Sequence, residues 1–262
     1  MEDLSQVTQT WTNKSSARTL AGKTAIVTGG ARRLGRQIAL GLAREGVNLI
    51  IHYCHSATQA TELAGQVQQM GVKVWPIQAD LSDPVQADGL ASKAIETAGA
   101  IDILINNASY WPQDTIWDMT AKQLQTCMDV HVMAPIILAK ALARQERAGH
   151  IINILDTRIT DYDRRHISYH LAKRTLLAVT RILALELAPR IAVNAIAPGL
   201  ILPPDGHGPE YLAKLADTNP MNRYGDPQDV VDALLFLLNS RFITGQVIYV
   251  DGGFHMRHQL YV

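Results

Sequence analysis

The chain has 262 residues, 47% of them apolar, enough to bury a sizeable core within one domain. Its 24 basic and 24 acidic residues cancel, so no net field draws in nucleic acid or an anionic membrane, and a small molecule is the expected partner. Cys54 and Cys127 are too few for a disulfide framework and stand in no Cys-x-x-Cys cluster, so neither an oxidising compartment nor a metal site is expected.

Residues 1–20 are polar, without the basic start and apolar run of a secretory leader, and read as an arm that is disordered where nothing ties it down. No stretch reaches the roughly eighteen consecutive apolar residues of a membrane span, which predicts a cytoplasmic protein. Residues 21–262 then read as a single domain in which short apolar, β-branched runs alternate with longer segments of helical periodicity.

The first run, TAIVTG, leads into Thr28-Gly29-Gly30-Ala31-Arg32-Arg33-Leu34-Gly35 at the start of a helix. Glycines at such a turn let the backbone approach a pyrophosphate, whose charge rests on free N–H groups at the helix N-terminus. The second run ends in His52-Tyr53-Cys54-His55-Ser56, with none of the carboxylates that accept from the ribose hydroxyls of NAD. Arginine, imidazole and hydroxyl groups welcome a 2′-phosphate instead, so Arg32, His55 and Ser56 point to NADP(H).

The third run ends at Asp80-Leu81 and the fourth at Asn106-Asn107-Ala108-Ser109, followed by Tyr110 and Trp111. A long helical segment from Ala121 carries His131, and the fifth run, HIINILD, ends at Asp156. Tyr169 and Lys173 follow on one helix face, the sixth run ends at Pro198-Gly199, and a Pro- and Gly-containing stretch at about 200–221 suits a substrate lid. The seventh run, GQVIYV, ends at Asp251-Gly252-Gly253. Strands so continuously apolar, alternating with helices, predict an α/β fold: a doubly wound, parallel, seven-stranded Rossmann-type sheet with helices on both faces. Ligands of such sheets bind beyond the carboxyl ends of the strands, where all these residues lie.

Tyr169 and Lys173 can hand a proton to a substrate near neutrality, since a nearby ammonium lowers the phenol's pKa. In the short-chain dehydrogenase/reductase superfamily, which these motifs resemble, a serine in the Asp156 position donates to the substrate carbonyl. An ionised aspartate has no proton to donate, so the resemblance implies that a ketone fits poorly and that a pterin, whose amide-like edge offers paired N–H groups, fits better. Asp156 also has a plainer reading, as a strand-end aspartate that caps the next turn.

These motifs, in this order, resemble the short-chain dehydrogenase/reductase superfamily from about Gly22 to Phe254. Arg33 stands where that family usually has its middle glycine, and with Ser109, Trp111 and Asp156 this departure resembles the pteridine reductase branch. The resemblance implies that Gly29, Arg32, Arg33, Leu34 and Gly35 hold cofactor phosphates, with Tyr53, His55 and Ser56 around the adenosine. It gives Asp80 and Leu81, Asn107 and Ala108, and Pro198 and Gly199 to the rest of NADPH, with Tyr169 and Lys173 at its nicotinamide end. Asp156, Tyr169 and Lys173 would be catalytic; Arg33, Ser109, Trp111, Asp156 and Tyr169 would hold a dihydropterin, Trp111 by stacking. His131 stands where most of the family has asparagine and is similar to the dihydromonapterin reductase variety. The family commonly forms homotetramers. A ketone reductase of the same superfamily, or a non-catalytic NADP(H) sensor, are the competing readings.

Overall fold

A computed structural model describes residues 19–259; the predicted arm lies almost wholly outside them. The seven strands are β1 Thr24–Val27, β2 Asn48–Tyr53, β3 Val74–Gln78, β4 Ile103–Asn106, β5 Gly149–Ile154, β6 Ile191–Pro198 and β7 Val247–Val250. They form one sheet in the order β3-β2-β1-β4-β5-β6-β7, parallel throughout, as the alternating pattern predicts. The chain reverses its direction of travel across the sheet between β1 and β4, so a crevice opens beyond their carboxyl ends.

Residues alternate between the two buried faces, which is why the strands are apolar without a break. Ile26, Ile50, Leu104 and Ile151 pack under α3 (Pro84–Ala98), α5 (Ala134–Ala143) and α6 (Ile167–Leu187). Val27, Ile51, Ile105 and Ile152 pack under α1 (Arg33–Arg44), α2 (Ala57–Gln69) and α8 (Pro227–Asn239). Pro76 sits in β3, at the edge of the sheet, where a missing N–H does least harm.

Local chemistry sets the helix ends. Asp83 caps α3 by accepting from Val85 N–H, ahead of Pro84 in the first turn. Thr120 and Gln123 close a capping box on α4 (Ala121–Met128), and Asp226 with Asp229 closes another on α8. Past the ends of α1, α2 and α3 stand Gly46, Gly71 and Gly99, all with positive φ.

The single helix expected from Ala121 is continuous to Ala143 but not uniform: a π turn, Asp129–Met133, separates α4 from α5. Ala134 N–H reaches back five residues to the Asp129 carbonyl, and Pro135 has no N–H to offer the carbonyl of His131. This helix is 23 residues long and apolar enough to span a membrane, yet Leu138, Ala139 and Leu142 belong to the core beneath α3. Between β6 and α8, the predicted lid region carries the short α7 (Pro209–Ala213) and a 3-10 turn at Ala216–Thr218.

Candidate active site

The turn after β1 is held from three sides. Thr28 Oγ1 accepts from the N–H groups of Asn107 (2.9 Å) and Ala108 (3.0 Å), and Asn107 Nδ2 donates back to the carbonyls of Thr28 (2.9 Å) and Gly29 (3.2 Å). His52 supports the turn from β2, where Nδ1 accepts from Gly29 N–H at 3.0 Å and Nε2 donates to Ala79 O at 3.0 Å. The bond from Gly29 requires a neutral ring, and burial pushes the pKa of His52 down to about 4 against weaker support from the Ala79 carbonyl and Asp80.

Space at this turn is as restricted as its bonding. A Cβ on Gly29 would lie 2.9 Å from Ala108 Cα, and one on Gly35 would lie 2.1 Å from the Gly29 carbonyl oxygen. Arg33 adopts φ +52°, the left-handed backbone that the resemblance leads one to expect of a glycine here. The conformation survives the substitution, and the side chain that replaces hydrogen points a guanidinium at the cleft. Its Nη1 meets Asp205 at 2.6 Å and its Nη2 donates to Pro203 O at 2.7 Å, while Arg32 reaches Asp205 at 3.4 Å.

A cleft of about 560 Å³ runs from this turn to the head of α6. Of the predicted residues it gathers Gly29, Arg32, Arg33, Leu34 and Gly35, then Tyr53, His55 and Ser56, then Asn107, Ala108 and Ser109, with Asp156, Tyr169, Lys173, Pro198 and Gly199. A dinucleotide fits this wall. The backbone is bare where a Cβ would collide, the N-cap of α1 makes no side-chain bond to its free N–H groups, and cationic and hydroxyl groups line the β2 end.

Three predicted residues are not on the cleft wall. Asp80 turns its carboxylate to Ser82, accepting from its N–H at 2.9 Å and its hydroxyl at 2.8 Å. Leu81 is buried in the core under α3. Trp111, half exposed, stacks on His166 with ring centroids 3.8 Å apart and planes within 11°.

At the far end, Asp156 does two things at once. Its Oδ1 accepts from Arg158 N–H at 2.8 Å, capping the short turn Thr157–Thr160, while Oδ2 accepts from the Tyr169 hydroxyl at 3.0 Å. The capping and chemical readings are therefore compatible, one oxygen for each. Thr157 in turn donates its hydroxyl to Asp251 after β7, which fixes the backbone beside Asp156.

Lys173 is 2% exposed and donates to Ile154 O at 2.6 Å, and its ammonium lies 5.5 Å from the Tyr169 ring centre. Burial pushes its pKa down to about 8, opposed by the charge of Asp156. Tyr169 moves the other way from the sequence-based expectation: burial, then the charge and hydrogen bond of Asp156, hold its pKa well above that of an ordinary phenol. At neutral pH the tyrosine keeps its proton.

Sequence reasoning missed the groups that fix these catalytic candidates from behind. Asp114, 1% exposed, accepts from the Ser168 hydroxyl at 2.5 Å and from Ser168 N–H at 3.3 Å, one residue before Tyr169. His166 Nδ1 donates to Pro112 O, 2.7 Å away, so the loop after β4 is stapled twice to the start of α6. A polar residue inside an apolar strand was the available signal for His52; Asp114 offered none, because its partner is 54 residues away.

The family model described as enoyl-(acyl carrier protein) reductase matches residues 29–255. Among solved structures, the NADP complex of FolM alternative dihydrofolate reductase 1 from Brucella canis is 34% identical with a TM-score of 0.85, covering 91% of this chain and 96% of that one. L-sorbose reductase from Gluconobacter frateurii, with NADPH and L-sorbose, is 28% identical with a TM-score of 0.83, covering 90% and 97%. Among curated proteins, a 3-oxoacyl-[acyl-carrier-protein] reductase of Staphylococcus aureus is 30% identical over 242 residues, which is 89% of this chain and 98% of the relative.

Proposed function

Because the chain belongs to the short-chain dehydrogenase/reductase superfamily of oxidoreductases, we propose that it is an NADPH-dependent pteridine reductase, converting a dihydropterin to the tetrahydro form. The observation that carries the reading is the Asp156–Tyr169 pair, 3.0 Å apart on the cleft wall. Each Asp156 oxygen already accepts one hydrogen bond and has a lone pair left, which suits two neighbouring N–H groups of a pterin edge and opposes an oxyanion.

NADPH supplies the hydride that reduces the C=N carbon, most simply C6. Tyr169, which is protonated at neutral pH, supplies the proton that the adjacent ring nitrogen takes up, and Asp156 orients that hydroxyl. Lys173 places positive charge beside the pair and orients the ribose next to the ring. Arg32, His55 and Ser56 bind the 2′-phosphate, and Arg33 serves the phosphates and the pterin once it leaves Asp205. Ser109 lines the substrate end; Trp111 covers the pterin only by leaving the His166 stack. Dihydromonapterin, dihydrobiopterin and dihydrofolate are the substrates to compare, dihydromonapterin first because of His131. We also propose a cytoplasmic homotetramer, by likeness to the family.

The relatives that act on oxo compounds by name support a ketone reductase as the second reading. NADPH oxidation against a panel of dihydropterins, dihydrofolate and ketones separates the two. Turnover of a dihydropterin that falls in Asp156→Ser supports pterin chemistry; brisk ketone reduction with no pterin turnover overturns it.

A further inference from the structure

Asp251-Gly252-Gly253, which follows β7, lies off the cleft wall. It borders a second cavity of about 520 Å³, whose lining meets that of the cleft only at Ile201 among the described residues. The Asp251 side chain is 2% exposed. Its Oδ1 accepts from Gly253 N–H at 2.9 Å, while Oδ2 accepts from the Thr157 hydroxyl, from His255 N–H at 2.9 Å and from His255 Nδ1 at 2.9 Å. These donors fill the roughly four lone-pair sites of a carboxylate.

Burial opposes charge on Asp251, but the bonds from Thr157, His255 and Gly253 hold its pKa below that of an ordinary aspartate. It is therefore an acceptor only, and His255 Nδ1 carries the hydrogen between them. The imidazole is fixed in turn by Tyr249 of β7, on which it stacks with ring centroids 3.9 Å apart and planes at 18°.

Thr157 joins this unit to the candidate active site. It follows Asp156 directly, is buried, and opens the short 3-10 turn Thr157–Thr160, whose hydrogen-bond geometry is poorer than that of an α-helix. The next residue, Arg158, gives its N–H to Asp156 Oδ1 and lays its guanidinium 5.6 Å from the ring centre of Phe254, at the start of the 3-10 segment Phe254–Gln259. Both residues after Asp156 thus lean on the segment that follows β7. The aim of Asp156 Oδ2 at the Tyr169 hydroxyl depends on a backbone anchored from there.

We infer that His255 is a positioning residue for the reaction: with Asp251 it clamps the Thr157 hydroxyl, and so holds the Asp156 carboxylate on Tyr169 from outside the cleft. Besides Thr157, both donors to Asp251 Oδ2 come from His255, so without the imidazole this carboxylate is free to turn toward the second cavity. Misplacing a reacting group by about 1 Å can cost on the order of a hundredfold in rate, and loosening a hydroxyl one residue away costs less, about tenfold in kcat. The same segment touches the foot of the lid, where Met221 N–H donates to Gly252 O at 3.2 Å. An effect through the lid acts on substrate binding and moves KM alone; an effect through Asp156 lowers kcat. The catalytic part of this role rests on the pteridine reductase reading; the clamp on Asp156 does not.

Two pairs of variants in the full chain test it. His255→Asn keeps a donor at the place of Nδ1 and gives up the stack on Tyr249, whereas His255→Phe keeps the stack and gives up the donor. Thr157→Ser keeps the hydroxyl; Thr157→Val keeps the shape without it. The inference expects Asn and Ser to stay within about threefold of the parent in kcat, and Phe and Val each to lose about tenfold. Because both act through one Asp251 oxygen, His255→Phe combined with Thr157→Val should fall no more than about threefold below either alone. Losses that multiply to about a hundredfold, a loss confined to KM, or Phe as a better variant than Asn overturn it. Crystal structures of the parent and His255→Phe give a readout that needs no substrate. Asp156 Oδ2 and the Tyr169 hydroxyl should lie within hydrogen-bond distance in the parent and beyond it in the variant, and an unchanged distance overturns the inference. A chain in which His255→Phe breaks that bond but which turns over no dihydropterin sinks the functional reading and leaves the clamp.

Discussion

The glycine turn after β1 and residues 202–208 after β6 face each other across one cleft, but they are held in place very differently. The turn is tied by side chains from β2 and from the segment after β4, all buried or partly buried, with no space for a single added methyl. Residues 205–207 are exposed, Gly206 has nothing within 4 Å of where a Cβ would stand, and the stretch meets the turn through Asp205 and Pro203. On the proposed reading the difference fits two tasks: a cofactor shared by a whole family can be met by a preformed wall, whereas a substrate would be met by a wall that gives way. It also says where substitutions will be felt.

The largest effect is expected at Gly35. Gly35→Ala drives a methyl into the Gly29 carbonyl at 2.1 Å and the Asn107 amide at 2.6 Å, both fixed by other bonds. NADPH affinity should fall by about a hundredfold or more, measured by fluorescence titration, in keeping with the several kcal/mol of a buried clash. Gly206→Ala is the matching change across the cleft. With open space around it, only its φ of +84° is penalised, so thermal stability falls by about 1 kcal/mol and NADPH affinity stays within about twofold. Equal losses of affinity in the two variants would erase the contrast.

The next effect concerns His52 and has a definite sign. Its pKa is about 4 in the fold against roughly 6.5 for a free imidazole, so the unfolded chain takes up a proton first as pH falls. The contribution is intact above about pH 6.5 and is lost progressively down to about pH 4. The shift corresponds to on the order of 3 kcal/mol. Denaturant unfolding of the parent and of His52→Asn should therefore converge by roughly that amount across this window, since the variant has no such group to titrate. Parallel curves would mean that the turn does not depend on a neutral ring.

Much of this contrast can be read in the sequence, and the unreadable part has a common cause. Gly29 and Gly35 are legible because they answer a local need, a bare backbone at a strand-to-helix turn. Tyr169 and Lys173 share a helix face four residues apart, and the strands announce themselves by two-sided burial. Contacts between distant segments leave no such mark. Nothing in the spelling of the chain joins Arg33 to Asp205, 172 residues on, or Trp111 to His166. The π turn was equally hidden, although Pro135 removes a hydrogen bond there and a helical pattern simply reads through it. Asp156 was only half legible: its residue type suggested either a cap or a catalytic group, and geometry puts one oxygen on the cap and the other on the Tyr169 hydroxyl.

The smallest effect probes the one place where the two walls touch. Arg33 and Arg32 pair with Asp205 through side chains that are 42%, 49% and 71% exposed, so screening leaves each pair only about 0.2–1 kcal/mol. If cofactor phosphates and Asp205 compete for the same guanidinium groups, removing the carboxylate strengthens cofactor binding by the part of that energy now spent on the lid. Asp205→Asn should then tighten NADPH binding by up to about fivefold at low salt, with the gain fading above about 0.5 M salt as the pair is screened in the parent as well. A weaker affinity in Asp205→Asn would reverse the argument. It would make the carboxylate a brace that sets the arginines in place for the phosphates, and residues 202–208 would then belong to the preformed wall they otherwise contrast with.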